Sequence, residues 1–347
     1  MPLDTTPQAS RRPTGGSDFA DLRRRIDDAG LLERRAGHYT ARFVLVGLAL
    51  VATWTLFFTV GNTWWQLLTA IPLAVVFAQL ALLAHDIAHR QVFRTRRPSE
   101  IAGRIVGNLG VGMSYGWWMD KHTRHHANPN HEDLDPDVSP DVLIWSSAQA
   151  RDAKGLARFV GRHEAFLFFP LLTLEAWNLH LSGIKAVLSP GLRRRRLEAA
   201  LLAAHGVGYA TLVLLTLSPG RAVAFILLHQ ALFGLYLGCS FAPNHKGMPT
   251  LRDGERLDFL RKQALTSRNV RGSALTDVAL GGLNYQIEHH LFPSMPCPNL
   301  RRAQPIVRGF CAEHGVEYAE AGLIESYAIA LRHMHAVGEP LRSEAKA

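Results

Sequence analysis

Long uncharged runs broken by short polar turns dominate the hydropathy pattern of this chain. From Phe43 to Ala84 there is no Lys, Arg, Asp or Glu, and the run divides at Gly61-Asn62-Thr63 into two apolar stretches, 43–60 and 64–84. A second pair, 199–217 and 222–241, is divided by Ser218-Pro219-Gly220-Arg221. Each stretch is close to the ~20 residues that a helix needs to cross a bilayer core. Trp64 and Trp65 stand at the first turn, where an interfacial aromatic belt would put them. The pattern predicts an all-α integral membrane fold, with four transmembrane helices in two hairpins. The alternative, four buried helices of a large soluble protein, fits poorly with uncharged runs of this length paired across short turns.

The remaining segments are shorter and more polar. Residues 1–17 are rich in Pro, Ser, Thr and Gly and are expected to be disordered. Over 19–36 the spacing of Phe19, Leu22, Ile26 and Leu32 predicts an amphipathic helix lying on the membrane surface. The apolar stretch 165–174 is too short to span and contains Pro170, which suits an interfacial or partly buried helix. The organisation expected is an N-terminal segment, 1–41, then a single membrane domain, 42–347. The non-spanning parts of that domain, 85–197 and 244–347, form a helical cap. No internal repeat is evident, and Cys239, Cys297 and Cys311 have neither metal-like nor disulfide-framework spacing.

Charge orients this arrangement. Of the 38 Lys and Arg, only Arg221 falls in the two hairpin turns, while Arg193–Arg196 directly precede the third span. By the positive-inside rule both termini and the cap face the cytoplasm, and a bacterial cytoplasmic membrane is the expected location. The net charge of +9 then reads as a topology signal plus attraction to anionic lipid head groups. Nucleic-acid binding is disfavoured, because the basic residues flank spans and no binding motif accompanies them. The N-terminus shows no signal-peptide apolar core, so no cleaved export signal is expected.

The histidines fall on this map at one membrane face. HDIAH places His85 and His89 four residues apart where the second span ends. HTRHH places His122, His125 and His126 at i, i+3 and i+4, and QIEHH repeats those offsets with Gln286, His289 and His290. Such positions share one helix face and can converge on a point. Each cluster alone is compatible with packing. Together they hold seven histidines, and buried imidazoles each need a partner. Neutral imidazole is a common ligand for iron, zinc, copper and nickel, and one zinc takes about four ligands. Seven donors therefore imply two metals, or one metal with a surplus of imidazoles. A transporter or sensor with clustered histidines would instead need ionisable groups along the spans, where His205 and His229 stand almost alone. Those two are better suited to hydrogen bonding between helices than to lining a substrate tunnel.

HDIAH, HTRHH and QIEHH resemble the three histidine boxes of the integral-membrane fatty-acid desaturases, in order, separation and topology. The resemblance extends from about residue 40 onward. It implies a four-helix stem under a cytoplasmic cap, a non-haem centre of two iron ions, and O2 as co-substrate for removing two hydrogens from a long acyl chain. It also implies a further histidine ligand after the fourth span, for which FAPNHKGMP offers His245. Gln286 stands where many relatives carry a histidine, a variant similar to the front-end desaturases. Its amide oxygen is a weaker donor than imidazole, so it either ligates loosely or acts through water. Some relatives have an asparagine four residues before the extra histidine, where this chain has Phe241. The His-Pro-Gly-Gly haem motif of a fused cytochrome b5 domain does not occur, so electrons are expected from a separate ferredoxin-type donor and its reductase. The substrate implied is acyl-CoA or an acyl-lipid, and membrane lipids are the other partner. A lipid or carotenoid hydroxylase or ketolase of the same superfamily is the alternative activity. Asp86 and Glu288, inside their boxes, are candidates for carboxylates that hold imidazole tautomers. The DLDPD stretch at 133–137 receives no catalytic role.

Overall fold

The computed structural model describes residues 17–140 and 142–343. Residues 1–16, nearly all of the segment expected to be disordered, lie outside the described residues. In chain order the helices are α1 (Asp18–Asp28), α2 (Ala36–Val60), α3 (Gln66–Ala88) and α4 (Arg96–Arg104), which runs into a π-helical segment (Ile105–Val111). Then follow α5 (Tyr115–Ala127), α6 (Ser147–Asp152), α7 (Gly155–Leu172), α8 (Glu175–Leu188), α9 (Arg195–Thr216) and α10 (Pro219–His245). The C-terminal part holds α11 (Phe259–Leu265), α12 (Ala274–Ala279), α13 (Gln286–Leu291), α14 (Cys297–Glu313), α15 (Leu323–Val337) and α16 (Glu339–Ser343). The sheet content is one parallel pair, β1 (Asn269–Arg271) with β2 (Glu320–Gly322). The expected all-α membrane fold is what the chain adopts.

Four helices, α2, α3, α9 and α10, are long and apolar enough to cross a membrane. All four run past their expected spans at the end away from the hairpin turns, while at the turns α3 begins two residues late, at Gln66, and α9 stops one residue short, at Thr216. The spans were delimited at the nearest charge or turn, and helices continue through charges that find partners. Thus α2 starts at Ala36 rather than 43, because Arg42 turns into the protein and its Nη1 donates to Asp86 Oδ2 at 2.6 Å. The boundary expected between 41 and 42 therefore falls inside a helix. The bundle is unequal: 67% of the apolar window of α3 is buried inside the protein against 6% of that of α9. So α3 and α10 form the centre, and α2 and α9 present their apolar faces outward. Phe57, Leu73, Phe77, Phe225 and Phe233 fill the space between. At the far end Asn62 joins the two hairpin turns, its Oδ1 accepting from Ser218 N at 2.9 Å and Arg221 Nη1 at 3.0 Å.

The connecting helices pack onto this stem where small residues admit them. A Cβ at Gly234 of α10 would lie 2.8 Å from both Leu172 O and Ala176 N, so only glycine lets the α7–α8 corner approach. As expected for 165–174, α7 is half-buried: Val160, Glu164 and Phe168 face inward, while Phe159 and Phe166 stay exposed. The N-terminal helix departs from expectation. It ends at Asp28 because Gly30 (φ 65°) turns the chain, and its apolar face is not left for a membrane surface. Leu22 and Ile26 are fully buried in a cluster with Leu260, Leu300, Val307 and Phe310 of α11 and α14. Burial there takes the apolar face of α1 out of water, and the ion pairs Arg25–Glu313 (2.7 Å) and Arg261–Asp18 (2.9 Å) flank it.

Several polar groups inside the apolar stem bond between elements. His205 Nδ1 lies 2.9 Å from Leu109 O of the π-helical segment, and Tyr209 OH lies 2.9 Å from His229 Nδ1. Both histidines thus join separate elements, as their positions suggested. Glu198, fully buried at the start of α9, accepts from Arg104 Nε (3.2 Å), Asn108 Nδ2 (3.2 Å), Ser114 Oγ (2.7 Å) and Gly116 N (3.1 Å). It is the point where α4, the π-helical segment, α5 and α9 meet. Removing the carboxylate leaves the buried Arg104 guanidinium with only Glu100 (3.3 Å) as a charge partner and takes the acceptor from Asn108 and Ser114, and each buried group so orphaned costs roughly 1–3 kcal/mol. Glu198→Ala is therefore expected to lower the melting temperature of the detergent-solubilised protein by several degrees. An unchanged melt would show that the network does not hold these elements together.

Candidate metal centre

The histidine-bearing elements converge at the end of the stem away from the hairpin turns. There α3 contributes His85 and its C-cap His89, α10 ends on His245, α5 carries His122, His125 and His126, and α13 carries Gln286, His289 and His290. Short α13 is aimed by Gly281 and Gly282, both with positive φ (60° and 80°). A Cβ at Gly281 would stand 3.1 Å from Leu82, so the glycine also lets this turn press against α3 just before His85.

Eight imidazoles sort into two groups: His85, His89, His122, His126 and His289 in one, His125, His245 and His290 in the other. Within each group one nitrogen per ring lies within 4.8 Å of the others. The expectation that each i, i+3, i+4 triplet meets at one point is corrected here. Adjacent helical residues point about 100° apart, so His125 and His126 feed different groups, as do His289 and His290.

Hydrogen bonds fix the free nitrogens of the second group. Each Nδ1–H has an acceptor: Asp135 Oδ2 for His125 (2.9 Å), Thr266 O for His245 (3.0 Å) and Gln263 Oε1 for His290 (2.9 Å). In the neutral ring the lone pair is then on Nε2, which has no partner in His290 and faces the Gln286 amide in His245. In the first group His89 and His126 place their Nε2 atoms 2.8 and 3.1 Å from His122 Nε2. Unprotonated nitrogens that close repel unless a proton or cation lies between them. His85 and His289 have no hydrogen-bond partner at either nitrogen, although both are buried. An orphaned buried polar atom costs ~1–3 kcal/mol, and a metal ion would satisfy the whole set, so these residues fit one. Burial, then the neighbouring imidazoles, hold His89, His122, His126, His289 and His290 well below the ordinary histidine range. They are neutral, which is the ligating form. Burial also pulls on His125, but the Asp135 bond and the Asp135 and Asp137 charges outweigh it and raise its basicity. Trp118 stacks on His122 at 4.3 Å and closes one side.

Other sequence-derived candidates turn out differently. Asp86 lies beside His85, but its Oδ1 is 3.5 Å from His85 Nδ1, too long for a strong hydrogen bond, and its close contact is Arg42. Glu288 holds no imidazole. It accepts from Asn269 Nδ2 and Tyr318 OH, both at 2.7 Å, because the α13 helix turns it away from His289 and His290. Burial pushes its carboxyl up to about 7. Gln286 does reach the second group: its amide Nε2 lies 2.8 Å from His245 Nε2, and its Oε1 accepts from Asn244 Nδ2 at 3.3 Å. A half-turn of the amide would present Oε1 to the same place. Phe241 ends 6.3 Å, ring to ring, from His85 and offers no donor atom.

Sequence reasoning missed the groups that orient the second set, Asp135, Gln263 and Thr266. The DLDPD stretch does hold a positioning carboxylate: Asp135 is fully buried and is itself fixed by Asn130 N (2.8 Å) and Asp137 N (2.9 Å). The available signal was a carboxylate ten residues after His125; Gln263 and Thr266 carried none. Loss of a carboxylate that orients a ligating imidazole typically weakens metal binding 10–100-fold. Asp135→Ala is expected to lose bound metal by about that factor on dialysis, measured by elemental analysis, while the exposed neighbour change Asp133→Ala has no effect. Equal retention by both variants would remove Asp135 from this role.

The comparisons with known proteins agree with the geometry. A family model described as fatty acid desaturase matches residues 62–322, which includes every histidine of both groups. The chain is 32% identical over 285 residues to an acyl-lipid (9-3)-desaturase of Physcomitrium patens, covering 79% of this chain and 53% of that protein. It is 31% identical to fatty acid desaturase 3 of Bos taurus, covering 87% of this chain and 68% of the relative. It is 26% identical to a delta-6 fatty-acid desaturase of Caenorhabditis elegans, covering 94% and 76%. The chain thus spans about half the length of the moss protein and more of the animal ones. The match extends across three quarters of the chain and through both imidazole groups, and the chain belongs to the fatty acid desaturase family.

Proposed function

We propose that this protein is an O2-dependent acyl desaturase that places a cis double bond in a long acyl chain. The observation that carries the reading is the pair of adjacent imidazole groups, one nitrogen of each ring within 4.8 Å of the others in its group, with both nitrogens of His85 and His289 and the Nε2 of His290 buried and without a partner. In this reading His85, His89, His122, His126 and His289 hold one iron ion. His125, His245 and His290 hold a second, with the Gln286 amide oxygen as a further, weaker donor. When bound, the two irons supply the oxidising power to break an unactivated C–H bond, which no side chain can provide.

The chain's own residues do the rest. Asp135, Gln263 and the Thr266 carbonyl keep Nδ1 protonated on their histidines, so that Nε2 faces the metal. Trp118 and the buried ends of α3 and α10 keep bulk water from the site. The acyl chain would reach the centre as acyl-CoA or as part of a membrane lipid. The moss and nematode relatives are named for acyl-lipid and delta-6 desaturation, and Gln286 accords with front-end insertion. Electrons would come from an external ferredoxin-type donor. The basic flanks of the spans support a topology with both termini and the metal centre on the cytoplasmic side.

A host co-expressing the protein with a ferredoxin and its reductase is expected to accumulate a new unsaturated fatty acid, resolved by gas chromatography and mass spectrometry. The His290→Ala variant should give none. A product heavier by one oxygen would favour a hydroxylase instead. Chelation supplies a second check, since a metal that binds only the folded state stabilises it. Stripping iron should lower the melting temperature of the wild type, and iron alone should restore it. His126→Ala should bind less iron and respond less, and an equal response would dismiss the ligand assignment.

A further inference from the structure

The end of the α8–α9 connection and the first turn of α9 form a second polar feature, separate from the metal centre. Arg193, Arg194, Arg195 and Arg196 follow one another and are all exposed. Only Arg193 approaches a carboxylate, Glu100 Oε1 at 3.8 Å, and Glu100 is already engaged by Arg96 and Arg104. The other nearby acid, Glu198, points inward to Arg104, Asn108 and Ser114. Among the described residues, Arg194, Arg195 and Arg196 have no carboxylate partner. They surround a shallow groove of about 430 Å³ lined by Pro190, Arg194, Arg195, Arg196 and Leu197.

Topology alone asks for basic residues near a span, but not for three unpaired guanidinium groups around one concavity. Held together they repel, and a bound anion would relieve that repulsion. Guanidinium groups match the oxygens of a phosphate in a bidentate manner. The groove also has an apolar continuation. Leu181, Ile184 and Leu188 run along one exposed face of α8, and Leu197 begins the exposed face of α9, which is continuous with the outward apolar surface of that span. A ligand with a charged head and fatty tails fits both parts.

We propose that this groove binds the phosphate of an anionic membrane phospholipid, whose acyl chains lie along the outer faces of α8 and α9. The site does not depend on the redox chemistry of the metal centre. The test uses the full chain purified in a zwitterionic detergent and titrated with fluorescently labelled phosphatidylglycerol, with phosphatidylcholine, inorganic phosphate and coenzyme A as competitors. Saturable binding that weakens with salt is expected, displaced by unlabelled phosphatidylglycerol and not by the other three. Arg194→Gln/Arg195→Gln/Arg196→Gln should bind on the order of 100-fold more weakly, from about a fivefold loss per basic residue. The corresponding triple Lys variant keeps the charge and guards against misfolding; it should lose much less. Undiminished binding by the Gln variant would overturn the proposal. So would equal displacement by phosphatidylcholine, or displacement by inorganic phosphate or coenzyme A at the concentrations where phosphatidylglycerol acts.

Discussion

Imidazoles crowded together away from bulk water need a partner for each nitrogen, and the architecture of this protein follows from having to keep eight such rings in two adjacent groups. Each ring needs one nitrogen bare and, where possible, the other bonded. A single helix cannot meet that demand, since it offers ligands along one stripe. The chain meets it with four elements arriving from different directions: the ends of α3 and α10, helix α5, and the short α13. Because the groups are contiguous, a shift in any one element disturbs both. This accounts for how strongly those elements are tied down by features that carry no chemistry.

The ties are of two kinds. In the apolar stem they are steric and few. The central helices α3 and α10 are held between two outer helices and by aromatic packing around Phe77, Phe225 and Phe233, and Asn62 links the hairpin turns at the far end. Near the metal centre they are polar and directional. Glu198 joins the π-helical segment and α5 to α9, and Arg42 with Asp86 joins α2 to the end of α3. Buried charge of this sort seldom adds much stability, but it penalises alternative arrangements in which one partner would be left alone. Positional accuracy is what a metal centre needs from its scaffold.

The two groups are also supported unequally. Every imidazole of the three-histidine group has its Nδ1 hydrogen in a bond, so that group is oriented by the fold. In the five-histidine group, His85 and His289 have no such partner, and His89, His122 and His126 face one another directly. That group would depend more on a bound ion. The difference would make the five-histidine site looser without metal and the three-histidine site the better preformed.

Much of this protein can be read from its sequence because bilayers and metals impose local rules. Uncharged runs of spanning length gave the four stem helices, and the spacing of His85, His89, His122, His126 and His289 gave donors on helical faces. Where a rule was local, the expectation fitted to within a turn of helix or two. Tertiary structure decided what no spacing can hold. It split adjacent histidines between two centres, gave Asp135 rather than Glu288 the task of orienting an imidazole, and buried α1 against α11 and α14. It also brought Gln263 and the Thr266 carbonyl to histidines 27 and 21 residues away. The physical reason is the same in each case. Helix periodicity fixes which face a side chain takes, but its partner is fixed only when another element, free to come from anywhere in the chain, packs against that face.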